Sequence, residues 1–170
     1  MEFSHISVLL EETVRNLITD PDGIYVDCTL GGGGHSFALA QKLSEKATLV
    51  GVDQDDRAIA AATERLKDVR CRHLTVRNNF SHVDENLDSL GVGQVDGFMF
   101  DLGVSSPQLD DGSRGFSYMH DGDLDMRMDQ RNPLTAYEVV NSYSQEDLER
   151  ILFDYGEERW TKRIVQFILK

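Results

Sequence analysis

Four consecutive glycines, Gly31 to Gly34, follow a short apolar run that begins at Ile24 and ends at Asp27. Glycine adopts positive φ angles readily and lets a ligand approach bare backbone, while a following helix offers free N–H groups at its first turn. A strand, a glycine turn and a helix together form the opening unit of a nucleotide-binding α/β fold. The spacing fits the dinucleotide fingerprint poorly, because Ser36 stands where its third glycine is expected. A glycine turn that binds no ligand therefore remains an alternative.

Two further carboxylates, Asp53 and Asp101, each end an apolar run with the composition of a buried strand. Asp53 lies about 20 residues beyond the glycine turn, where this class of fold places an acid that accepts hydrogen bonds from ribose hydroxyls. The alternative is that Asp53, Asp55 and Asp56 only cap the next helix. We assign Asp53 to ribose, and Asp55 or Asp56 to capping.

The elements that must position these residues alternate between strand and helix. Strands are predicted at 24–27, 48–53, 72–77 and 94–101, and helices at 5–18 (capped by Ser4), after the glycine turn, at 55–66 and from Ser81 to Leu90. Such a series requires right-handed crossovers and hence a parallel sheet. The sequence therefore predicts an α/β, Rossmann-like sheet with the glycine turn, Asp53, Phe80 and Asp101 along one edge. Phe80 can pack on an adenine ring there, or it can belong to the core.

An edge of this kind can hold an adenosine-containing cofactor, and the residues alone leave NAD and S-adenosylmethionine open. NAD requires a pyrophosphate on the helix N-terminus and a tighter glycine fingerprint. S-adenosylmethionine carries no phosphate, and its sulfonium cation is attracted by nearby carboxylates. The sequence therefore favours the methyl donor.

The C-terminal part of the chain changes character. Residues 109–131 are polar and rich in glycine, but apolar side chains within them favour an ordered lid over a disordered linker. Three helices are predicted after them, at 134–140, at 144–153 with Ser144 as cap, and from Glu157 or Glu158 onward with Trp160 on its apolar face. We assign residues 1–132 to the cofactor-binding part and residues 133–170 to the start of a helical insertion that recognises substrate.

Composition restricts the setting and the partners. The 170 residues suffice for one domain, no apolar run approaches the length of a membrane span, and the N-terminus lacks the pattern of a signal peptide. We expect a cytoplasmic protein in which Cys28 is a buried free thiol. The net charge of −13 argues against nucleic acid as a partner, since such proteins need a basic face.

Later motifs give a specific resemblance. Residues 101–110 (DLGVSSPQLD), 114–117 (RGFS), 124–129 (LDMRMD) and 155–158 (YGEE) resemble those of the bacterial 16S rRNA (cytosine-N4)-methyltransferases. The similarity extends from His5 to the last residue, and Gly33–His35 resembles the cofactor turn of that family. The motifs are long and unusual, so a chance match is improbable.

This resemblance implies S-adenosylmethionine as the methyl donor and N4 of a cytidine in 16S rRNA as the acceptor. Asp101 is the candidate catalytic residue, accepting a hydrogen bond from the N4 amine, and its alternative role is contact with the cofactor only. The cofactor-binding residues that the resemblance implies are Gly33, Gly34 and His35 (through backbone), Asp53 (ribose), Phe80 (adenine), Asp101 and Gln108.

The chain departs from the family in its length, because the members are much longer and return from the helical insertion to complete the sheet. We therefore expect a four-stranded sheet with one unpaired edge and one bare face, marginal folding or self-association through that edge, and weak binding to 16S rRNA. Two other functions stay open, a cofactor-binding fragment without methyl-transfer activity and an NAD-dependent oxidoreductase.

Overall fold

In the computed structural model, which describes residues 7–170, the chain forms two units, Met1–Ser106 and Pro107–Lys170. The predicted α/β fold is confirmed in the first unit, and the predicted helical character of the C-terminal part in the second. The boundary predicted between residues 132 and 133 concerns function and stays a prediction.

The first unit contains a four-stranded parallel sheet with the order β3-β2-β1-β4. The strands are β1 (Ile24–Asp27), β2 (Thr48–Asp53), β3 (Arg72–Arg77) and β4 (Gly97–Met99). The first three have the predicted bounds. The prediction of a strand over 94–101 was too long, because the amide of Asp101 donates to the side chain of Thr29 instead of to a strand. Within the described part of the chain, β4 pairs only with β1.

The helices of the first unit are α1 (Leu10–Leu17), α2 (Gly34–Ala40), α3 (Asp56–Leu66) and α4 (Val83–Ser89), with a 3-10 turn at Phe80–His82. Helix α1 is shorter than predicted because Leu9 has a left-handed conformation, with φ of 50°. The predicted cap at Ser4 lies outside the described residues. Asp55 caps α3 as predicted, its carboxylate accepting from the amide of Arg57 at 3.0 Å. The predicted cap at Ser81 was wrong, since Asn79 accepts the Ser81 amide and caps the 3-10 turn.

Apolar side chains cover both faces of the sheet where β1 and β2 lie. Tyr25 and Leu49 face a cluster formed with α1, α2 and α3, whereas Val26 and Val50 face a second cluster that includes Leu87 of α4. The prediction of a bare face was therefore wrong over these two strands. Alternation along a parallel strand sends successive side chains to opposite faces, so both faces need a helix layer.

The second unit contains α6 (Ala136–Ser142), α7 (Gln145–Asp154) and α8 (Thr161–Ile168), and α5 (Ser106–Asp110) begins at the boundary between the units. Helix α6 starts two residues later than predicted, because Thr135 and Glu138 form a reciprocal capping box. Ser144 caps α7 as predicted, accepting from the amide of Asp147 at 3.1 Å. No helix within residues 7–170 combines the length and the apolar character that crossing a bilayer requires.

Residues 109–131 are ordered by polar contacts more than by the predicted apolar side chains. Arg114 is buried and donates to the carbonyl oxygens of Arg127 and Met128, at 3.0 and 3.2 Å. Among the apolar side chains of the segment, Phe116 and Met128 are half-buried, whereas Tyr118 and Met119 are 96% and 72% exposed. The buried guanidinium organises this segment because its fixed donors satisfy several carbonyl groups at once.

Candidate functional site

The glycine turn after β1 is tied to the end of β2. The amide of Gly31 donates to Asp53 Oδ2 at 2.8 Å, and Gly31 has a φ of +50°. Among the described residues, the carbonyl oxygen of Thr29 is the one neighbour that a Cβ atom at Gly31 would have within 4 Å, at 3.8 Å, so this position borders open space. Gly33 differs, because a Cβ atom there would meet the backbone of α3 at Ala62, 3.2 Å away. Gly31, which the sequence-based assignment omitted, thus borders space that a ligand can enter, while Gly33 has α3 packed against it.

Asp53 is half-buried at the tip of β2, and its second oxygen, Oδ1, accepts the amide of Asp55 at 2.9 Å. Burial raises the pKa of this carboxyl, and the hydrogen bonds from Asp55 and Gly31 oppose that shift. Each carboxylate oxygen has a further lone pair, so Asp53 can still accept hydrogen bonds from a ligand hydroxyl.

Asp101 follows β4 and lies against the same turn. Its amide donates to Thr29 Oγ1 at 2.7 Å, and its Oδ2 is 3.9 Å from His35 Nδ1. The Asp101 side chain is 54% exposed. Because β4 lies beside β1 on the side away from β2 and β3, the strand order reverses between β1 and β4. Ligands of open α/β sheets bind outside the carboxyl ends of the strands at such a switch point, which is where Asp101 lies.

His35 is buried at the start of α2, with Nε2 3.0 Å from the carbonyl oxygen of Val8. A carbonyl can only accept, so Nε2 carries the hydrogen and a neutral ring presents Nδ1 towards Asp101. The imidazole thus connects the segment before α1 to the turn. This leaves the backbone of His35 for the predicted cofactor contact, which stays a prediction.

The two remaining predicted residues lie in different units. Phe80 is half-buried, packs against the cluster that contains Val26, and meets Phe100 edge to face at 5.6 Å. Gln108 is buried on α5, in the second unit. The cofactor contacts predicted for Phe80 and Gln108 both stay predictions.

The geometry at the glycine turn agrees with the comparisons with known proteins. The model of the MraW methylase family matches residues 2–170. The chain belongs to the MraW methylase family. The resemblance to small-subunit rRNA methyltransferases that the later motifs indicated is thereby confirmed.

Curated relatives of this MraW methylase chain carry the name ribosomal RNA small subunit methyltransferase H. The protein from Clostridioides difficile (strain 630) is 52% identical over 170 residues, which cover 100% of this chain and 55% of that protein. The protein from Clostridium botulinum (strain Kyoto / Type A2) is 56% identical with the same coverage. The chain therefore spans about half the length of the curated relatives it matches. Among solved structures, a protein from Clostridium thermocellum, assigned provisionally as an rRNA methylase, matches 59% of this chain and 54% of its own, with a TM-score of 0.50 and 26% identity.

One carboxylate at this edge of the sheet was missed as a functional residue by the sequence analysis. Asp27, at the end of β1, is 1% exposed and accepts from Ser36 Oγ at 2.6 Å and from the amide of Thr29 at 3.1 Å. Burial raises the pKa of Asp27 to about 6, with the hydrogen bonds from Ser36 and Thr29 opposing the shift. The available signal was its position, since Asp27 ends its strand as Asp53 does. We describe it as a positioning residue that connects β1 to α2.

The arrangement provides a partly open polar rim over a buried scaffold. Asp53 and Asp101 offer acceptors beside a turn without side chains, and Asp27 and Thr29 hold the backbone beneath them. Such a rim suits a ligand with hydroxyl or cationic groups. Cys28, next to this scaffold, is a buried free thiol as predicted, and burial raises its pKa to about 11, so it remains protonated and unreactive at neutral pH.

Proposed function

We propose that this chain binds S-adenosylmethionine at the carboxyl edge of its sheet and acts as a methyltransferase on N4 of a cytidine in 16S rRNA. The observation that carries the proposal is that two carboxylate-bearing strand ends converge on one glycine turn. Asp53 accepts from Gly31, and the backbone of Asp101 donates to Thr29, two residues earlier in that turn. Membership of the MraW methylase family and the names of the curated relatives support the same activity.

The residues at this edge fit the cofactor. We propose that the adenosine lies over the bare backbone at Gly31, and the unused lone pairs of Asp53 can accept from its ribose hydroxyls. Two carboxylates beside the turn attract a sulfonium cation, whereas they would repel the pyrophosphate of NAD. We propose Gly31 together with the sequence-derived set Gly33, Gly34, His35, Phe80 and Gln108 as further contacts.

Asp101 has two possible roles towards the acceptor. The exocyclic amine of cytosine is a poor nucleophile, because its lone pair is delocalised into the ring. S-adenosylmethionine, when bound, supplies an electrophilic methyl group. The half-exposed carboxylate of Asp101 can accept a hydrogen bond from the amine, which fixes its orientation, and orientation can contribute several kcal/mol to a group transfer. If Asp101 has this role, Asp101→Asn retains cofactor affinity and loses methyl transfer, whereas a pure cofactor ligand would lose the affinity.

Calorimetry with the purified chain tests the cofactor. We expect a saturable heat with S-adenosylmethionine and with S-adenosylhomocysteine, and none with NAD. Binding of NAD with no heat from S-adenosylmethionine would overturn the proposal in favour of an oxidoreductase. The measurement does not depend on methyl transfer, so it separates the site from the activity.

A methylation assay tests the activity. Small ribosomal subunits lacking the N4 methyl group are incubated with labelled S-adenosylmethionine and either this chain or the longer relative from C. difficile. Label on a cytidine N4 with both proteins supports the proposed function. Cofactor binding by this chain without label, while the relative labels the RNA, would identify it as a cofactor-binding fragment without activity of its own.

A further inference from the structure

Helices α7 and α8 of the second unit form a groove of about 500 Å³ that the proposed cofactor site does not use. The groove is lined by Glu149, Arg150, Phe153, Arg159, Trp160, Thr161, Lys162 and Arg163. Its volume lies in the range of ligand sites. The buried residues of the two helices are Leu148 and Val165, which do not line the groove, and Thr161, which does. The aromatic side chains of the groove are therefore not needed for that buried contact.

The groove concentrates positive charge in an acidic protein. The chain has a net charge of −13, yet residues 159–170 contain four basic side chains and no acidic one. Within residues 7–170, Arg159, Lys162 and Arg163 have no ion-pair partner. Cations that remain exposed and unpaired close together are available to an anionic ligand.

Carboxylates near these cations offset part of their charge. Glu149 lines the groove, and Glu158 Oε1 lies 2.7 Å from the backbone amide of Trp160. Arg150 makes a long contact to the exposed Asp147, at 3.4 Å, and such surface pairs contribute little. Four cations and one carboxylate line the groove, so its lining is net positive.

The groove also presents two large aromatic side chains to solvent. Trp160 is 69% exposed and Phe153 is 60% exposed. The backbone of Trp160 is fixed, because its amide donates to Glu158 Oε1 at 2.7 Å and its carbonyl accepts from Arg163 at 2.9 Å. An exposed ring on a fixed backbone, surrounded by cations, is the arrangement on which bases of single-stranded nucleic acids stack.

We propose that the α7–α8 groove binds single-stranded RNA, with a base stacked on Trp160 and phosphates on Arg159, Lys162 and Arg163. The inference deepens the proposed function and rests on it for the choice of RNA over DNA. It agrees with the weak RNA binding expected of an acidic chain, because non-specific binding through phosphate contacts typically has a Kd of about 1 μM to 100 μM at physiological salt. The groove supplies a location for that binding.

The chain contains one tryptophan, so its tryptophan fluorescence, excited selectively over the tyrosines, reports on this groove alone. The purified chain is titrated, without cofactor, with a single-stranded RNA of about ten nucleotides, which matches the site size of stacking surfaces. We expect saturable quenching of Trp160 with the single strand. Inorganic polyphosphate should compete without quenching, since it has charge but no bases. Equal quenching by polyphosphate, or no binding of the RNA, would overturn the proposal.

A matched pair of double variants tests the location. Lys162→Gln/Arg163→Gln removes two cations from the groove, and Lys42→Gln/Arg72→Gln removes the same charge from exposed positions of the first unit. By fluorescence anisotropy of labelled RNA at about 50 mM salt, we expect the groove variant to lose about tenfold in affinity and the control less than about twofold. Equal losses in both would mean that only net charge matters, and would overturn the proposal.

Stacking is tested by Trp160→Ala and Trp160→Phe. We expect about a tenfold loss of RNA affinity for the alanine variant and at most about a threefold loss for phenylalanine, which keeps a ring. Far-UV circular dichroism and calorimetry with S-adenosylmethionine serve as fold controls for all variants. RNA binding without any cofactor binding would count against the proposed function and still support the RNA site in the groove. Cofactor binding without RNA binding would overturn only the proposal of an RNA site in the groove.

Discussion

The carboxyl edge of the sheet and the α7–α8 groove differ in charge, burial and construction. At the sheet edge, Asp53 and Asp101 lie above a support formed by the buried Asp27 and the half-buried Thr29, and backbone amides make most of the contacts. In the groove, by contrast, exposed cations accompany an exposed Trp160, and within residues 7–170 the side chains of Arg159, Lys162 and Arg163 have no polar partner.

This difference corresponds to two kinds of ligand. A small cofactor must be held in one orientation, so its site needs fixed acceptors on a rigid scaffold. A flexible polymer offers repeated phosphates and bases, so an open cationic surface with a stacking ring is sufficient. The net charge of −13 thus describes neither region by itself, because the lining of the groove has more cations than carboxylates.

The largest expected effect tests whether the sheet edge really depends on a buried carboxyl. The pKa of Asp27 is about 6 in the folded protein, against 3.8 ordinarily, so ionisation of Asp27 opposes folding. Below about pH 4, Asp27 is neutral in both the folded and the unfolded protein, and the free energy of unfolding has its full value. As the pH rises from about 4 through 6, the unfolded protein ionises first, so the free energy of unfolding falls. The Asp27→Asn variant cannot ionise at this position, so its free energy of unfolding should not fall in this way. The difference in free energy of unfolding between the variant and wild type should therefore rise by about 3 kcal/mol from acidic pH to pH 7.

Urea denaturation across this pH range, followed by far-UV circular dichroism, measures the difference. Asp88→Asn, at an exposed position on α4, provides the control for the substitution itself. If the free energies of unfolding of wild type and Asp27→Asn change in parallel with pH, Asp27 ionises without an energetic cost. The proposed difference between a buried sheet edge and an open groove would then be contradicted.

The second effect separates the two regions by ligand. Asp53→Ala removes the acceptor of the Gly31 amide and the proposed ribose contact. A hydrogen bond to a charged group contributes about 2 kcal/mol, so we expect about a 30-fold loss in affinity for S-adenosylmethionine and unchanged RNA affinity. Calorimetry and anisotropy measure the two constants, with Asp56→Ala, at the exposed start of α3, as control. Parallel losses of both ligands would mean that the two regions are not independent.

Much of the sheet edge could be predicted from the sequence because the information is local. An apolar run that ends in an aspartate determined the bounds of β2, and the side chain of Asp55 determined the start of α3. The role of Asp27 could not be predicted, because its partner Ser36 is brought near only by the packing of α2 on β1. The shortening of β4 has the same origin, in a contact with the distant Thr29.

The α7–α8 groove could not be predicted as a site. The sequence assigned Trp160 to an apolar helix face, which is the usual role of such a residue. Exposure depends on which side of α8 packs against the rest of the unit, and the buried side is the one with Val165 and Thr161. The charge of the whole chain also concealed the groove, since it averages the basic C-terminal residues with the acidic remainder.

The third effect uses salt to sharpen the contrast. Three phosphate contacts in the groove should give a slope of about −2 in log affinity against log salt, so RNA affinity falls about 20-fold between about 50 and 200 mM salt. Cofactor affinity at the sheet edge should change by less than about twofold, because its proposed contacts are hydrogen bonds and one close-range attraction between unlike charges, which salt screens less than a row of phosphate contacts. Fluorescence titration and calorimetry at matched pH give both slopes. A flat RNA curve would contradict the assignment of phosphates to the groove.

The smallest effect probes the support beneath Asp101. Thr29→Val replaces the hydroxyl that accepts the Asp101 amide with a methyl group of similar size. A neutral hydrogen bond contributes about 1 kcal/mol, so cofactor affinity should fall about fivefold as the segment after β4 loses its fixed position. Thr29→Ser keeps the hydroxyl and should bind nearly as well as wild type in the same calorimetric titration. Full affinity in the valine variant would mean that β4 alone positions Asp101, and that the scaffold of the sheet edge is smaller than proposed.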